Sequence, residues 1–432
     1  MKKLFKSSIF HNFSWLFADK LIRLALSLFV SVVVARYLGP AQYGLWNYFL
    51  SFTMFFTAFV SLGFENIIPR ELINHPEKEE EIISLAFALK IIGGLIGFCL
   101  SIFTYYLYKK PDIELLIMMS LMASLLIFQA ADIFDIFYKT KLQAKYAVIG
   151  RNIAFVIVAL LKLYFVWKHF PLIYFVATIS IEFLLGGLLV FYMFMKQGHR
   201  ISLRKLNWNL GFGFLKDGLP MAISGFMIMI YMRIDQVMLT DMAGETANGI
   251  YSTGVRLIEI IYFVPMALAD SFFPGIVYSK KHEGDKYASN MLSFYSIMIY
   301  VAIAISIVTI IVAKPMMNLL FGIEYEGSGA VLQVLGFSLL ATFLSVASGK
   351  YLITENYLRV IFTRSFLGLG LNIILNLLWI PKYGYMGAAY ASLLSYIIPT
   401  LTLLFFSSTR HQLKLILLAF NPIHIRNKLK SD

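Results

Sequence analysis

The sequence has few charged residues and almost no cysteine for a chain of its length. Only 14% of its 432 residues are charged, 59% are hydrophobic, and the mean hydropathy is +0.76. Such a composition cannot cover the surface of a water-soluble globule, so the chain is predicted to be an integral membrane protein. The single cysteine, Cys99, excludes an intrachain disulfide and a cysteine-based metal cluster.

Groupings of residues that carry out catalysis are also lacking. The seven histidines are scattered over helix ends, loops and tails, without the spacing of metal ligands. The sequence has no phosphate-binding loop of the form Gly-x-x-x-x-Gly-Lys-Ser/Thr. We therefore expect no enzyme activity, no metal, no cofactor and no direct use of ATP.

Acidic residues are fewer than basic ones, which gives a net charge of +13. In a soluble protein this excess would suggest nucleic acid. Here the basic residues lie mostly in short loops between apolar segments, for instance Lys139, Lys141 and Lys145. The positive-inside rule explains them by topology and predicts that both termini are cytoplasmic. No nucleic-acid partner is expected.

Apolar runs of about 20 residues, the length that crosses a bilayer, recur along the whole chain and predict twelve membrane helices. The predicted spans are 13–38, 44–64, 82–108, 114–138, 146–167, 171–195, 215–241, 248–273, 289–313, 328–352, 357–379 and 384–408. The loops on the predicted outer side are all short, which excludes a folded domain outside the membrane.

One pattern of glycine and proline occurs twice. Leu38-Gly39-Pro40-Ala41-Gln42-Tyr43-Gly44 aligns without a gap on Ala243-Gly244-Glu245-Thr246-Ala247-Asn248-Gly249, and the same offset aligns Glu65 with Asp270 and Pro69 with Pro274. At a slightly different offset, Tyr138 and Arg151 align with Tyr351 and Arg364. The sequence therefore predicts two copies of one six-helix unit. An even number of helices makes the copies parallel, which is an architecture of transporters.

The repeat divides the chain into predicted domains. We expect an N-terminal six-helix bundle at 1–195 and a C-terminal one at 217–408. A basic cytoplasmic linker at 196–216 joins them, and a basic cytoplasmic tail follows at 409–432.

Ionisable residues inside predicted spans are costly and are therefore candidates for function. In the first half, Arg23 and Lys90 lie some 10 to 12 Å into their helices, at about 1.5 Å per residue. Asp132 and Asp135 are three residues apart and share a helix face. Three interpretations stay open for the aspartates: ion pairs with Arg23 and Lys90, a site for a coupling cation, or a position near the cytoplasmic end of the span.

The second half contains a similar set of charges. Arg233 and Asp235 are two residues apart on the seventh span, whereas Arg256 and Glu259 share a face of the eighth. An Asp235–Arg256 pair would leave Arg233 free, and a free arginine suits a phosphate because its planar fork holds two oxygens. The hypothesis is a cationic lumen in which Arg23, Lys90 and Arg233 bind substrate. The other five charged residues would serve pairing or coupling: Asp132, Asp135, Asp235, Arg256 and Glu259.

Two stretches resemble a known family of transporters. The first span ends in Val34-Ala35-Arg36-Tyr37-Leu38-Gly39-Pro40-Ala41-Gln42-Tyr43-Gly44, and the seventh contains Tyr231-Met232-Arg233-Ile234-Asp235-Gln236-Val237-Met238-Leu239. With the twelve spans in two repeats, they resemble the Wzx-type flippases of O-antigen and capsule repeat units. These form the polysaccharide transporter family of the multidrug, oligosaccharidyl-lipid and polysaccharide exporter superfamily.

This resemblance implies a fold, a substrate and a location. The fold would be two bundles forming a V around a central cavity, in a bacterial inner membrane. The substrate would be an oligosaccharide linked to undecaprenyl pyrophosphate, flipped from the cytoplasmic to the periplasmic leaflet by alternating access. Membrane lipids would surround the protein, and an O-antigen polymerase and a chain-length regulator are expected neighbours by family analogy.

Three alternatives remain. A multidrug or cation antiporter of the same superfamily would share the fold and would require acidic groups such as Asp132 and Asp135. A lipid II flippase is disfavoured because such proteins usually carry two further helices. A membrane-embedded glycosyltransferase or O-antigen polymerase is disfavoured because it would need a large outer loop with catalytic residues.

Overall fold

The computed structural model describes residues 2–202, 206–282, 284–355, 357–406 and 409–421. Throughout these ranges the regular secondary structure is helical, with no strand. The prediction of an all-helical chain is confirmed. Residues 203–205 of the predicted linker and 422–432 of the predicted tail lie outside the described ranges.

Seventeen α-helices account for nearly all of the described chain. They are α1 (Lys2–Met54), α2 (Ala58–Ser61), α3 (Phe64–Asn74), α4 (Glu79–Lys109), α5 (Ile113–Ala123), α6 (Leu125–Phe128), α7 (Asp132–Thr140), α8 (Ala144–Trp167), α9 (Leu172–Lys196), α10 (Trp208–Ala243), α11 (Glu245–Ile261), α12 (Phe263–His282), α13 (Gly284–Phe321), α14 (Glu326–Thr354), α15 (Leu358–Tyr383), α16 (Tyr385–Leu401) and α17 (Arg410–Ala419). Short 3₁₀ turns connect several of them, at Phe55–Thr57, Pro76–Lys78, Gln129–Ala131, Ile323–Tyr325 and Thr402–Leu404.

Eleven helical runs in the described ranges are long and apolar enough to cross a membrane. The first, Arg23–Asn74, contains both the span predicted at 44–64 and most of the one predicted at 13–38. Each of the other ten runs corresponds to one predicted span. The chain is a multi-pass membrane protein, and the count of twelve stays a prediction.

The chain forms two compact units. The first contains the residues up to Gly39 together with Phe49–Phe226, and the second contains Pro40–Tyr48 together with the residues from Met227 onward. The units therefore do not divide at a single point of the chain.

The two copies of the glycine pattern have the same backbone conformation. Gly39, which kinks α1, has φ 70° and ψ 171°, and Gly244, which precedes α11, has φ 88° and ψ 170°. This region of φ and ψ is open almost only to glycine. In both copies a new helical segment begins directly after the glycine, and in the first copy it begins with Pro40, a residue suited to the first helical position.

The two copies also pack against each other, within the second unit. A Cβ placed on Gly44 would overlap the carbonyl oxygen of Glu245, and a Cβ placed on Gly249 would overlap that of Pro40. The contact is reciprocal because Pro40 aligns with Glu245 and Gly44 with Gly249. Asn248 adds a hydrogen bond from its side-chain amide to the Gly44 carbonyl, at 2.9 Å. Small residues let helix backbones approach this closely in membranes.

The span predicted at 114–138 is broken, although it contains no proline. It consists of α5, α6, the 3₁₀ turn Gln129–Ala131 and α7. Near the first break, the Leu121 carbonyl accepts hydrogen bonds from the hydroxyls of Ser124 at 2.8 Å and Ser180 at 2.6 Å. Serine hydroxyls that bond to backbone carbonyls bend helices. The 3₁₀ turn ends immediately before Asp132, which therefore stands at the start of α7.

Apolar packing fixes α7 in the first unit. A buried cluster joins side chains of α3, α4, α7, α8 and α9, including Phe64, Phe134 and Phe137. Phe214 of α10 belongs to the same cluster, and Ile201 and Leu206 of the predicted linker pack against it. In the second unit, the predicted tail begins with α17, whose Gln412, Leu415, Ile416 and Ala419 are buried.

The substitution Gly249→Ala is expected to destabilise the protein by about 1–3 kcal/mol, because the added methyl group meets the Pro40 backbone. The measurement is the melting temperature of the detergent-purified protein. The control is Gly370→Ala in α15, where a Cβ would meet nothing within 4 Å. Alanine there should leave the melting temperature unchanged or raise it slightly. Equal melting temperatures for the two variants would contradict the close contact.

Candidate functional site

An arginine and two aspartates form the centre of a charged cluster in the first unit. Arg151 of α8 donates to Asp132 Oδ1 from Nη2 at 2.6 Å. It donates to Asp135 Oδ2 from Nε at 3.0 Å and from Nη2 at 2.7 Å. Two N–H groups of one guanidinium thus share a carboxylate oxygen, a charge-assisted arrangement that fixes both side chains.

Arg23 lies at the edge of the same cluster. Its Nη2 is 3.4 Å from Glu182 Oε1 of α9, and its Nη1 is 3.5 Å from Asn152 Oδ1. Its guanidinium stands 4.9 Å from the centre of the Phe155 ring. The charged cluster encloses a cavity of about 240 Å³. The cavity is lined by Arg23, Asp132, Asp135, Arg151, Glu182 and Phe183.

Lys90 completes the cluster from α4. Its side chain is only 3% exposed, and it lies within electrostatic range of Asp132, Asp135 and Glu65. Arg23, Lys90 and Arg151 are thus opposed by Asp132, Asp135 and Glu182, with Glu65 near Lys90, so the cluster carries no excess of positive charge.

The structure brings together the first-half residues singled out from the sequence, but with different partners. The aspartates contact Arg151 directly, whereas one of the three interpretations from the sequence paired them with Arg23 and Lys90. Arg23 instead contacts Glu182, and Lys90 acts on the aspartates through space. The physical reason is that only a short turn separates α7 from α8. Arg151 therefore lies close to both aspartates.

In the second unit, Asp235 of α10 is a buried carboxylate held by neutral donors. It is 6% exposed. Its oxygens accept hydrogen bonds from Tyr251 at 2.8 Å, Asn376 at 2.6 Å and Ser392 at 2.5 Å. Beside it lies a cavity of about 20 Å³, lined among others by Asp235, Tyr251 and Ser392. A space of this size holds one water molecule.

Arg233 is not the free cation that the sequence suggested. Its Nη1 lies 3.0 Å from Glu259 Oε1, and both side chains are about one-fifth exposed, at 22% and 20%. Arg233 and Asp235 are two residues apart and point away from each other on the helix. Asp235 contacts α11 at Tyr251 as well as α15 and α16, while Arg233 meets the Glu259 carboxylate elsewhere on α11. Arg256 also lies on α11, as expected.

Sequence reasoning missed Arg364 of α15. Its Nη1 donates to Ser348 Oγ at 3.2 Å, and its Nη2 donates to the Ser345 carbonyl at 3.4 Å. Gln412 of α17 donates to the same Ser348 Oγ at 2.8 Å and to the Tyr295 hydroxyl at 2.8 Å. The signal that could have found Arg364 is its alignment with Arg151 in the repeat.

The oxygen atoms around Asp235 are the best-placed ligands for a small ion. The Asp235 carboxylate and the hydroxyls of Tyr251 and Ser392 are oxygen donors, which suit a proton or a hard cation. Within the described residues, no three or more His, Cys, Asp or Glu side chains are grouped so as to hold a metal ion.

The substitution Arg151→Gln is expected to destabilise the first unit by about 1.5–3 kcal/mol, because it leaves Asp132 and Asp135 without their cation. The effect stays moderate because the three side chains are 16% to 29% exposed. Adding Asp132→Asn and Asp135→Asn should restore most of the lost stability. The measurement is the melting temperature of the purified protein.

The matched control for this prediction is Arg70→Gln. Arg70 pairs with Asp217 at 2.9 Å, and these side chains are 54% and 52% exposed. An exposed pair contributes at most about 1 kcal/mol. If Arg151→Gln cost no more than Arg70→Gln, the Arg151 cluster would not support the fold.

Known proteins share both the fold and the sequence pattern of this chain. The chain is 23% identical over 408 residues to the capsular polysaccharide biosynthesis protein CapF of Staphylococcus aureus. The alignment covers 91% of this chain and 98% of CapF. The inward closed structure of the lipid II flippase MurJ superposes with a TM-score of 0.66 and 17% identity, over 97% of this chain and 93% of MurJ.

An inward-facing multidrug resistance transporter of the MATE family, in the MOP superfamily, superposes with a TM-score of 0.69 and 14% identity. The match covers 91% of this chain and 95% of the transporter. The fold is therefore that of MurJ and the MATE transporters. The family described as polysaccharide biosynthesis protein matches residues 9–280, which is more than half of the sequence. This chain belongs to that family, and the resemblance seen in its sequence is confirmed.

Proposed function

We propose that this protein flips an oligosaccharide linked to undecaprenyl pyrophosphate from the cytoplasmic to the periplasmic leaflet of a bacterial inner membrane, by alternating access. The observation that carries the proposal is the family match over residues 9–280, on a fold shared with flippases and exporters. The same proposal includes twelve membrane helices with both termini in the cytoplasm. It also includes two six-helix bundles, at 1–195 and 217–408.

The chemistry of such a substrate explains why an apolar fold contains charged cavities. A polyprenyl tail stays in the lipid, but sugar hydroxyls and a pyrophosphate cannot cross hydrocarbon without polar partners. In the first unit, the cavity beside Arg23 and Arg151 offers carboxylates and guanidinium groups to such a headgroup. Because the cluster carries no excess of positive charge, it suits neutral sugar hydroxyls better than it suits an anion.

The second unit offers a site for coupling transport to an ion gradient. Asp235 accepts three hydrogen bonds from neutral groups, so binding of a proton or a small cation would change the charge of the site by a whole unit. That change alters which neighbouring hydroxyls donate and which accept. A conformational equilibrium can respond to the ion only through such a difference between its two states.

Deletion of the gene in its own host tests the proposal. We expect loss of the surface polysaccharide together with accumulation of the lipid-linked repeat unit in the cytoplasmic leaflet, because synthesis continues while transfer stops. The measurement follows both species in the same cells, with re-expression of the intact gene as the control. Surface polysaccharide at its normal level, with no accumulation, would refute the flippase.

Asp235→Asn is expected to reduce transport strongly while the amount of protein in the membrane stays normal. The amide keeps the size of the side chain, and the hydroxyls of Tyr251 and Ser392 can each turn from donor to acceptor. The measurement is polysaccharide export in the deletion strain that carries each variant, before and after the ion gradients are collapsed. Asp270→Asn is the control, because Asp270 is a 66% exposed carboxylate. Export by Asp235→Asn that stays normal and gradient-dependent would remove Asp235 from the coupling step.

A cation-coupled multidrug antiporter is the second candidate, and the MATE-like fold together with the Asp235 site favours it. It predicts a different phenotype for the same deletion. Polysaccharide would be unchanged, while sensitivity to drugs or cations would increase.

A further inference from the structure

One arginine contact occurs in both units, with different partners. In the first unit, Arg151 reaches back 16 residues to Asp135 and 19 residues to Asp132. In the second, Arg364 reaches back 16 residues to Ser348 and 19 residues to Ser345. Arg151 and Arg364 already align in the sequence repeat, and the equal separations align their partners too. The sequence separations are the same, but the second copy has a hydroxyl and a backbone carbonyl in place of the two carboxylates.

The charge of the second arginine is consequently not balanced. Arg364 contacts a hydroxyl and a backbone carbonyl, at the long distances of 3.2 and 3.4 Å. The ionisable groups within electrostatic range of it, among the residues that the structure describes, are the tyrosines Tyr295 and Tyr231. An arginine in a membrane-spanning helix normally pairs with an acid or lies beside a functional path. Arg151 pairs with acids, and in the part of the chain that the structure describes Arg364 has no acid within range.

Other polar groups are arranged around Arg364 as a site for an anion would require. Ser348 is fully buried, and its Oγ accepts from both Arg364 and Gln412, so its own hydroxyl proton is available to a third group. A Cβ placed on Gly349 would lie 3.8 Å from Arg364 Nη2, so there is room for an atom beside the guanidinium. Most of the five N–H groups of Arg364 remain for a ligand.

We propose that Arg364 binds a phosphate group of the transported lipid, with Ser348 as a second donor. This assignment rests on the proposed function, because it names the residue that receives the pyrophosphate of that substrate. It moves the anion site from Arg233, which Glu259 neutralises, to Arg364. A guanidinium holds phosphate oxygens in two parallel hydrogen bonds, so an arginine suits this role better than a lysine.

The test uses the difference between the two copies of the contact. Ser348→Asp installs in the second unit the carboxylate that Asp135 provides in the first, which should neutralise Arg364. Ser348→Asn is the matched control, because it has the same size without the charge. Binding of geranyl pyrophosphate to the detergent-purified protein is measured for the intact chain, for both Ser348 variants, and for Arg364→Gln and Arg364→Lys.

We expect the intact protein to bind geranyl pyrophosphate saturably. Arg364→Gln and Ser348→Asp should each weaken binding by about tenfold or more, the effect of losing a charge-assisted contact. Ser348→Asn should bind more tightly than Ser348→Asp, and Arg364→Lys should lie between the intact protein and Arg364→Gln. Inorganic pyrophosphate should compete, which places recognition on the phosphates.

Several results would overturn the proposal. They are no binding by the intact protein, full binding by Arg364→Gln, or equal losses in Ser348→Asp and Ser348→Asn, which would indicate an effect of size. Competition by phosphatidylglycerol vesicles as strong as that by inorganic pyrophosphate would show a site for bulk membrane lipid instead.

The gene deletion separates this proposal from the proposed function. If deletion blocks polysaccharide export and Arg364→Gln restores it completely, the flippase stands and the Arg364 site fails. If deletion leaves export unchanged while pyrophosphate binding depends on Arg364, the site stands and the flippase fails.

Discussion

The cost of a charge inside a lipid bilayer determines how the polar residues of this protein are arranged. An arginine, lysine or aspartate at the centre of a membrane helix costs about 2.5–3.5 kcal/mol even by the lowest scales. In the first unit, Arg151 with Asp132 and Asp135, and Arg23 with Glu182, meet this cost by direct pairing. In the second unit Arg233 does the same with Glu259. Asp235 and Arg364 have no such ion pair among the described residues, and we propose that both charges serve transport.

Asp235 and Arg364 carry opposite charges and lie in separate surroundings. Asp235 accepts from three neutral donors that stabilise its negative charge, and it lies beside a space of about 20 Å³. Arg364 donates to oxygens that carry only partial charge. A carboxylate among hydroxyls suits a proton or a small cation, and an arginine among hydroxyls suits a phosphate. The two proposals thus assign to the second unit the two kinds of site that ion-driven transport of an anionic lipid needs.

Most of the fold could be predicted from the sequence, but few of the ion pairs could. Apolar length alone placed the membrane helices, because a bilayer fixes how long they must be. The glycine pattern was also readable, and the structure gives Gly39 and Gly244 nearly identical backbone angles. The ion pairs could not be predicted from the sequence, because they depend on how each helix is rotated about its axis. The break between α5 and α6 coincides with serine hydroxyls that bond to the Leu121 carbonyl, and such bonds leave no clear mark in a sequence. Arg364 was not among the predicted site residues, although its alignment with Arg151 is visible in the sequence.

The two copies of the arginine contact differ because, on the present proposal, one stabilises the fold and the other binds an anion. If Ser345 and Ser348 were aspartates, as in the first copy, Arg364 would be neutralised and would have little affinity for phosphate. If Asp132 and Asp135 were serines, the first unit would hold Arg23, Lys90 and Arg151 against Glu182, with Glu65 near Lys90, and that excess of positive charge would disfavour its packing in the membrane. One copy thus has acids that pair with its arginine, whereas the other lacks them and is the copy in which we propose an anion site. An exact repeat could not do both, so it is where the two copies differ, rather than where they agree, that the substrate contacts should be sought.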